Sequence, residues 1–392
     1  IDLVSHDSQS NLRSEVQEAD VPVVLVCSKA LDHEGGVVNY YRQLLSEFTP
    51  TQYVFQHYTV GSRTALFYQA VLRLAIYPFF LAWDLIVFAV KIAMNRRIRL
   101  VIVNPSLAPV PLIRDGLVLL IAKLFGRRVI VFYRGWKEYV IPLLSKGVAG
   151  FLFRSVYSRA DHSLVLADRF ATDLRRLSID SHPITTTRTF YKIRQKATRE
   201  VVSLQGKPKL LYLGRLSSLK GVDELLVATK TLKDSDVDFR LVIAGHGETK
   251  EDLQNYREQV ISLDIDDCVD LPGRVDGDLK QGLYDDADIF VFPSWGEGCP
   301  NSVVEALGAG LFVVGSDVGA IPEIVREGFS GRIVPIKNAD LLAQAMSDSI
   351  AEIAAIRQLR GKIAANAKDT LEFGSICKQI DQVIIQNLKQ AT

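Results

Sequence analysis

Short apolar runs alternate with helix-period stretches along this chain, and the alternation starts twice. From Val21 the order reads Val21–Val26 as strand, Val37–Phe48 as helix, Leu100–Val103 as strand, Gly116–Leu124 as helix and Val129–Tyr133 as strand. It restarts with Lys209–Leu213 as strand, Val222–Leu232 as helix, Arg240–Ala244 and Ile289–Phe292 as strands, Val303–Gly310 as helix and Phe312–Gly315 as strand. Strands this continuously apolar are buried on both faces, and intervening helices supply the cover, so the pattern predicts parallel sheets wrapped by helices. Between the two runs, Arg194–Pro208 is polar and charged and closes on Gly206-Lys-Pro208, as a linker would.

The expected architecture is therefore α/β, with two Rossmann-like doubly wound domains facing across a cleft. A chain of 392 residues suits two cores better than one. The expected division is a flexible, polar and acidic leader over 1–20, an N-terminal Rossmann-like domain over 21–193, the linker 194–208 and a C-terminal Rossmann-like domain over 209–370. A last helix over 371–392 is expected to pack back toward the N-terminal domain. In such sheets ligands sit beyond the carboxyl ends of the strands.

Charge divides as sharply as pattern. Residues 1–200 hold 26 Lys and Arg against 16 Asp and Glu, net +10, while residues 201–392 hold 20 against 29, net −9. The basic half is suited to something anionic, such as a membrane face or a lipid phosphate. Helix-by-helix clustering of cations for nucleic acid is absent, and no nucleic-acid partner is expected. Cys27, Cys268, Cys299 and Cys377 form no C-x-x-C pair and suit a reducing compartment. The chain begins without a signal-peptide pattern, so the expected location is cytoplasmic, peripheral at the inner face of the cell membrane.

Thr64–Met94 is rich in Leu, Ile, Phe and Val. Arg73 and Asp84 leave ten uncharged residues between them, with Pro78 in the middle. A spanning helix needs about 20, so the segment is not expected to cross a membrane. Two readings stay open: a helix or helix pair packed in the first domain, or an interfacial surface that dips into lipid beside Lys91, Arg96, Arg97 and Arg99. Lys123, Arg127 and Arg128 follow another apolar helix in the same way.

The densest chemistry lies in Pro293-Ser-Trp-Gly-Glu-Gly-Cys-Pro-Asn-Ser-Val-Val-Glu305. Two carboxylates, Glu297 and Glu305, bracket a loop-to-helix junction that Asn301 or Ser302 would cap. The helix start offers unpaired N–H groups and a positive dipole end for a phosphate. A carboxylate one turn on can accept two hydrogen bonds from a ribose diol, and the loop carboxylate can face whatever hangs off the phosphate. Arg215 and Lys220 follow the Gly214 turn after a buried strand, where two cations can neutralise charge developing on a leaving phosphate.

These residues resemble the E-x7-E signature of glycosyltransferase family four, retaining enzymes with the GT-B fold. Gly214-Arg215-Leu-Ser-Ser-Leu-Lys220-Gly221 resembles the family's G-R-x4-K-G phosphate element, and Glu34-Gly-Gly-Val37 resembles its N-terminal glycine loop. The resemblance is dense from about Lys209 to Pro335 and thin but in order from Val21 to Asp168. It implies a retaining, metal-independent glycosyltransferase that moves a sugar from a nucleotide-diphosphate sugar to a glycan or lipid-linked acceptor in envelope polysaccharide synthesis. It implies roles for Glu297, Arg215, Lys220 and Arg134 in catalysis. Donor binding falls to Gly35, Gly36, Gly214, Arg274, Gly298, Cys299, Asn301, Ser302 and Glu305.

Two departures bear on mechanism. The family's fourth N-terminal strand usually ends in His-Gly, whereas this chain has Arg134-Gly135, and an Arg cannot serve as a base near neutral pH. Either the leaving phosphate takes the acceptor proton, or Arg134 binds an anionic group on donor or acceptor. Where the family has Pro-Asn-Gly before the linker, the chain reads His182-Pro-Ile-Thr-Thr-Thr187. Four D-x-D triplets, opening at Asp236, Asp264, Asp276 and Asp286, all fall in the acidic half and none has a supporting third ligand, so no metal or other cofactor is assigned. The competing classes are a nucleotide-sugar epimerase of related fold and a noncatalytic sugar-nucleotide-binding protein.

Overall fold

The computed structural model describes residues 21–32, 35–61, 70–192, 206–247 and 249–391. The expected leader, Glu34 of the glycine loop and most of the linker lie outside the described residues. The chain divides into two compact units: one takes the chain to Val165 with Ala171–Thr187 and the segment from Cys377, and the other takes Leu166–Phe170 and Arg188–Ile376.

Among the described residues each unit holds a six-stranded parallel sheet. In the first, β1 (Val23–Ser28), β2 (Val54–Thr59), β3 (Ile98–Val103), β4 (Arg128–Tyr133), β5 (His162–Val165) and β6 (Ile184–Thr186) run in the order β2-β1-β3-β4-β5-β6. In the second, β7 (Lys209–Leu213), β8 (Arg240–Ala244), β9 (Val269–Gly273), β10 (Ile289–Phe292), β11 (Phe312–Ser316) and β12 (Gly331–Val334) run in the order β12-β11-β10-β7-β8-β9. The second sheet grows outward from β7 to β9, then returns to the other side of β7 with β10, in the doubly wound manner. β10 pairs with β7 through Ile289 opposite Leu210 and Phe290 opposite Leu211. Winding reverses between β7 and β10, and between β1 and β3 in the first unit. At such reversals the loops leaving adjacent strands diverge and open a crevice.

Central strands β1, β10 and β11 are buried along their whole length, as the continuous apolar runs require. Strands β2, β5, β6 and β12 were not expected from the sequence. β2 reads Val-Phe-Gln-His-Tyr-Thr and is half exposed, while β6 and β12 are short edge strands with partly exposed, polar or small residues. β5 opens with His162 and Ser163, both buried, so polarity hid a core strand.

The segment Ala70–Met94 is one 25-residue helix that runs through Pro78. Asp84 does not break it: the side chain is buried and accepts a hydrogen bond from the Gly61 N–H at 3.1 Å. Tyr77–Met94 is thus long and apolar enough to cross a membrane by length and composition, against the expectation from charge spacing. Phe88 and Ile92 on the same helix are buried in the core of the first unit.

The helix Phe373–Lys389 carries the chain from the second unit into the first. Ile380, Val383 and Ile384 are buried there, and the Gln379 amide donates to the Thr186 carbonyl at 3.1 Å. Asn387 is buried and accepts from Arg128 at 3.2 Å.

Candidate active site

In the second unit the loops leaving β7 and β10 flank the winding reversal, and their sequences lock them together. After β7, Gly214 leads through exposed Arg215 to the turn Ser218–Lys220 and then Gly221 at φ 71°. A Cβ on Gly221 would sit inside the Pro293 carbonyl, so only glycine lets the first loop touch the second. The Trp295 N–H donates to the Leu219 carbonyl at 3.0 Å and ties the two loops together. Gly319, at φ 55°, supports the second loop from below: its Cβ would collide with the carbonyls of Glu297 and Gly298. The Ala320 N–H donates to the Gly298 carbonyl at 2.8 Å.

This packing fixes Glu297. Its Oε1 forms an ion pair with Lys220 Nζ and accepts a hydrogen bond from Ser294 Oγ at 2.8 Å. The Glu297 side chain is 12% exposed, so the pair is sheltered but reachable. Two residues 77 apart in sequence, each expected at the donor site, are therefore in direct contact.

Glu305 is held by a separate pair of groups. Lys280 Nζ lies 2.7 Å from its Oε2, and Tyr284 donates its hydroxyl to the same oxygen at 3.0 Å. Both come from the helix Gly277–Asp286, one turn apart, so they share a face. Burial first, then the Glu305 charge, pushes the Tyr284 hydroxyl well above the usual phenol range, and it remains a donor at any working pH. Sequence reasoning did not find Lys280, Tyr284 or Ser294. The signal available was the Lys-x-x-x-Tyr spacing on the helix that feeds β10.

The helix Asn301–Gly308 starts differently from the sequence expectation. Pro300 occupies the N-cap position, and neither Asn301 nor Ser302 caps, both being the first helical residues. Proline has fixed φ and no N–H, so it ends the loop without a side-chain bond. The leading N–H groups of the helix keep no intrahelical partner. Cys299 is buried and its carbonyl accepts from Thr189 Oγ1 at 2.9 Å. Arg274 follows β9, two strands from β7, is exposed, and donates from Nε to Asp276 at 2.8 Å.

Gly35, Gly36 and Arg134 belong to the first unit. Gly35, at φ 138°, precedes the helix Gly36–Glu47, and a Cβ there would meet nothing within 4 Å. That helix carries Tyr40, whose ring lies 3.5 Å under the Arg134 guanidinium carbon, with Phe132 at 5.0 Å. Arg134 is 7% exposed, and its Nε and Nη1 are buried without a hydrogen-bond partner. The structure thus joins the glycine loop's helix to Arg134 through cation–π contact.

Among the described residues, no group of three or more His, Cys, Asp or Glu is placed to hold a metal ion. Five of the eight D-x-D acids pair with cations: Asp238 with Lys207, Asp264 with Lys233, Asp276 with Arg274, Asp286 with Lys209 and Asp288 with Arg357.

Comparison with known proteins decides the fold. A sucrose-phosphate synthase from Thermosynechococcus elongatus superposes with a TM-score of 0.73 at 18% identity, over 95% of this chain and 100% of that one. Anabaena HepE in complex with UDP gives 0.70 at 13% identity, over 93% and 100%. The fold is GT-B. Residues 207–352, a stretch that includes Glu297 and Glu305, match the family model described as glycosyl transferases group 1. The putative colanic acid biosynthesis glycosyltransferase of Escherichia coli is 28% identical over 50% of this chain and 49% of its own length. The amylovoran biosynthesis glycosyltransferase of Erwinia amylovora is 31% identical over 42% and 41%. The phosphatidyl-myo-inositol mannosyltransferase of Mycolicibacterium smegmatis is 32% identical over 42% of each. The match to this chain spans about half the length of these curated relatives or less.

Proposed function

We propose that the protein is a retaining, metal-independent glycosyltransferase that moves a sugar from a nucleotide-diphosphate sugar to a glycan or lipid-linked acceptor in envelope polysaccharide synthesis. One observation carries the reading. The winding reversal of the second unit gathers a Lys220–Glu297 pair and a Glu305 gripped by Lys280 and Tyr284 around the start of an uncapped helix.

Each group has a task matched to its position. Glu305 accepts the ribose hydroxyls, and its two gripping donors keep the carboxylate aimed before the nucleotide arrives. The N–H groups at Asn301 and Ser302 receive phosphate oxygen. Arg215 and Lys220 neutralise the diphosphate as the sugar carbon–oxygen bond breaks, and that charge is largest in the transition state. Without donor, Glu297 holds Lys220 in place. With donor, the diphosphate competes for the ammonium and Glu297 turns to the sugar. The acceptor oxygen bonds to the same face of the sugar carbon, and its proton passes to the departing phosphate oxygen, so no protein base is needed at Arg134. Gly35 and Arg134 are assigned to the first unit's share of the substrates.

The donor panel starts with UDP-sugars, because solved neighbours of this fold hold UDP and UDP-glucose. The expected result is slow release of free nucleoside diphosphate from one donor without acceptor, quickened by acceptor and with retained anomeric configuration. Interconversion of sugar epimers without net nucleotide release would establish the epimerase reading instead. Binding without release from any donor would leave a noncatalytic protein. A lipid-linked acceptor implies a cytoplasmic protein working at the inner face of the membrane.

A further inference from the structure

A second built feature lies on the first unit. On the helix Ala70–Met94, Phe79, Trp83, Ile86, Val90 and Met94 are exposed, Met94 at 81%, while Asp84, Phe88 and Ile92 are buried. Steps of four, three, four and four residues place the exposed five on one helical face. The stripe is about 22 Å long at 1.5 Å per residue. The helix Pro109–Leu124, packed against this one, also leaves Val110, Ile113 and Leu124 exposed. Exposed apolar area of this extent marks an interaction surface.

At its Met94 end the stripe meets a cleft of about 280 Å³ lined by Ala93, Arg96, Arg99, Gly126, Arg127 and Ala391. Arg127 Nη2 donates to the Ile92 carbonyl at 3.0 Å, and its Nε is buried without a partner. Among the described residues none of the three guanidinium groups has a carboxylate partner. Their mutual repulsion is felt: burial, then Arg99, then Arg96 lower the Arg127 pKa. Three other cations singled out nearby serve the fold instead. Lys123 pairs with Asp161 at 2.8 Å, Arg128 bonds Gln390 at 2.8 Å, and Arg97 donates to the Val21 carbonyl at 3.2 Å.

Three uncompensated cations around one cleft are relieved by an anion. A soluble anion accounts for the cleft but not for the apolar stripe that runs into it. Both are explained by a lipid interface, where apolar side chains enter below the headgroups and guanidinium groups meet phosphate. We infer that the cleft of Arg96, Arg99 and Arg127 seats the phosphate of an anionic phospholipid headgroup, with the Phe79–Met94 stripe in the acyl boundary. The inference rests on the lipid-linked acceptor reading for its purpose, and on these residues alone for its binding.

The test is sedimentation of the full chain with vesicles of phosphatidylcholine alone and of phosphatidylcholine with phosphatidylglycerol. The wild type should bind the second kind and release at high salt. The triple variant R96Q/R99Q/R127Q should lose on the order of 100-fold in partitioning, each near-surface cation contributing about fivefold. The control R159Q/R175Q/R176Q removes the same charge from exposed positions elsewhere on the unit and should stay within a few-fold of wild type. Phe79→Ser with Trp83→Ser should also weaken binding. Equal losses from both triple variants, wild-type binding by the cleft variant, or a dimer that Trp83→Ser dissolves would each overturn the inference. Donor hydrolysis, measured on every variant, should match wild type, and a cooperative thermal transition should show each variant folded, with a small drop in midpoint for the cleft variant, which gives up the Arg127 bond to the Ile92 carbonyl. If the wild type releases no nucleotide, the transferase reading fails while the vesicle comparison still decides the cleft.

Discussion

Replacing Glu305 tests the proposed donor site most directly, because its contacts separate the proposed binding role from its part in stability. In Glu305→Ala, the Tyr284 hydroxyl loses its carboxylate acceptor at 3.0 Å but keeps the Ser302 carbonyl at 3.2 Å, so no buried donor is orphaned. The lost ion pair to Lys280 has partners 29% and 30% exposed, where solvent screening leaves it worth less than about 1 kcal/mol. Folding stability should fall by about 1 kcal/mol or less. Nucleotide binding should fall by about 1–3 kcal/mol, the worth of a charged acceptor of two hydroxyl hydrogen bonds. That is roughly 5- to 150-fold in Kd. Tyr284→Phe keeps the ring and removes only the donor that aims the carboxylate, so a loss of about 1 kcal/mol is expected. Since Tyr284 acts through Glu305, the double variant should bind no worse than Glu305→Ala alone. Calorimetric titration of the four proteins with the diphosphate chosen by the donor panel reads these values. Unchanged affinity in Glu305→Ala, or additive losses in the double variant, would refute the assignment.

Lys220→Ala and Arg215→Ala should each lower turnover at saturating donor by on the order of 100-fold, with smaller changes in donor affinity; wild-type turnover in both would remove the charge-stabilising role. Activity should survive a chelator, and loss that a divalent ion restores would defeat the metal-free proposal. His162 is held down to about 4, first by burial and then by the charges of His182 and Arg128. The folded chain thus resists a proton that the unfolded chain accepts near 6.5, so stability is full above that pH and falls as pH drops toward about 4. His162→Gln should flatten the decline of Tm across that window, and an unaltered slope would assign the decline to other groups.

The strands nearest the site were legible because burial on both faces demands continuous apolar runs, and Lys209–Leu213 and Ile289–Phe292 match their strands end for end. The edge strands β2 and β6 were not, since they face solvent in part and carry no such demand. The glycines around Glu297 were visible as residues, but their purpose was not. Only the structure shows Gly221 beneath the Pro293 carbonyl and Gly319 beneath Glu297. Lys280 and Tyr284 escaped notice because their relation to Glu305 is tertiary, made across 25 and 21 residues. Asp84 misled in the opposite sense. A lone charge in an apolar run reads as an interruption, yet burying it against the Gly61 N–H lets the helix continue.

The crossing helix Phe373–Lys389 bears on how the protein is made. The second unit is drawn almost wholly from one stretch, Arg188–Ile376, and its contacts can close while synthesis proceeds. The first unit begins with the earliest strand, yet it needs Ile380, Val383 and Ile384 to cover its core and Asn387 to meet Arg128. Its apolar surface must therefore wait, incompletely covered, until that late helix emerges from the ribosome. Of the two units, the one whose translation starts earlier is the one completed later.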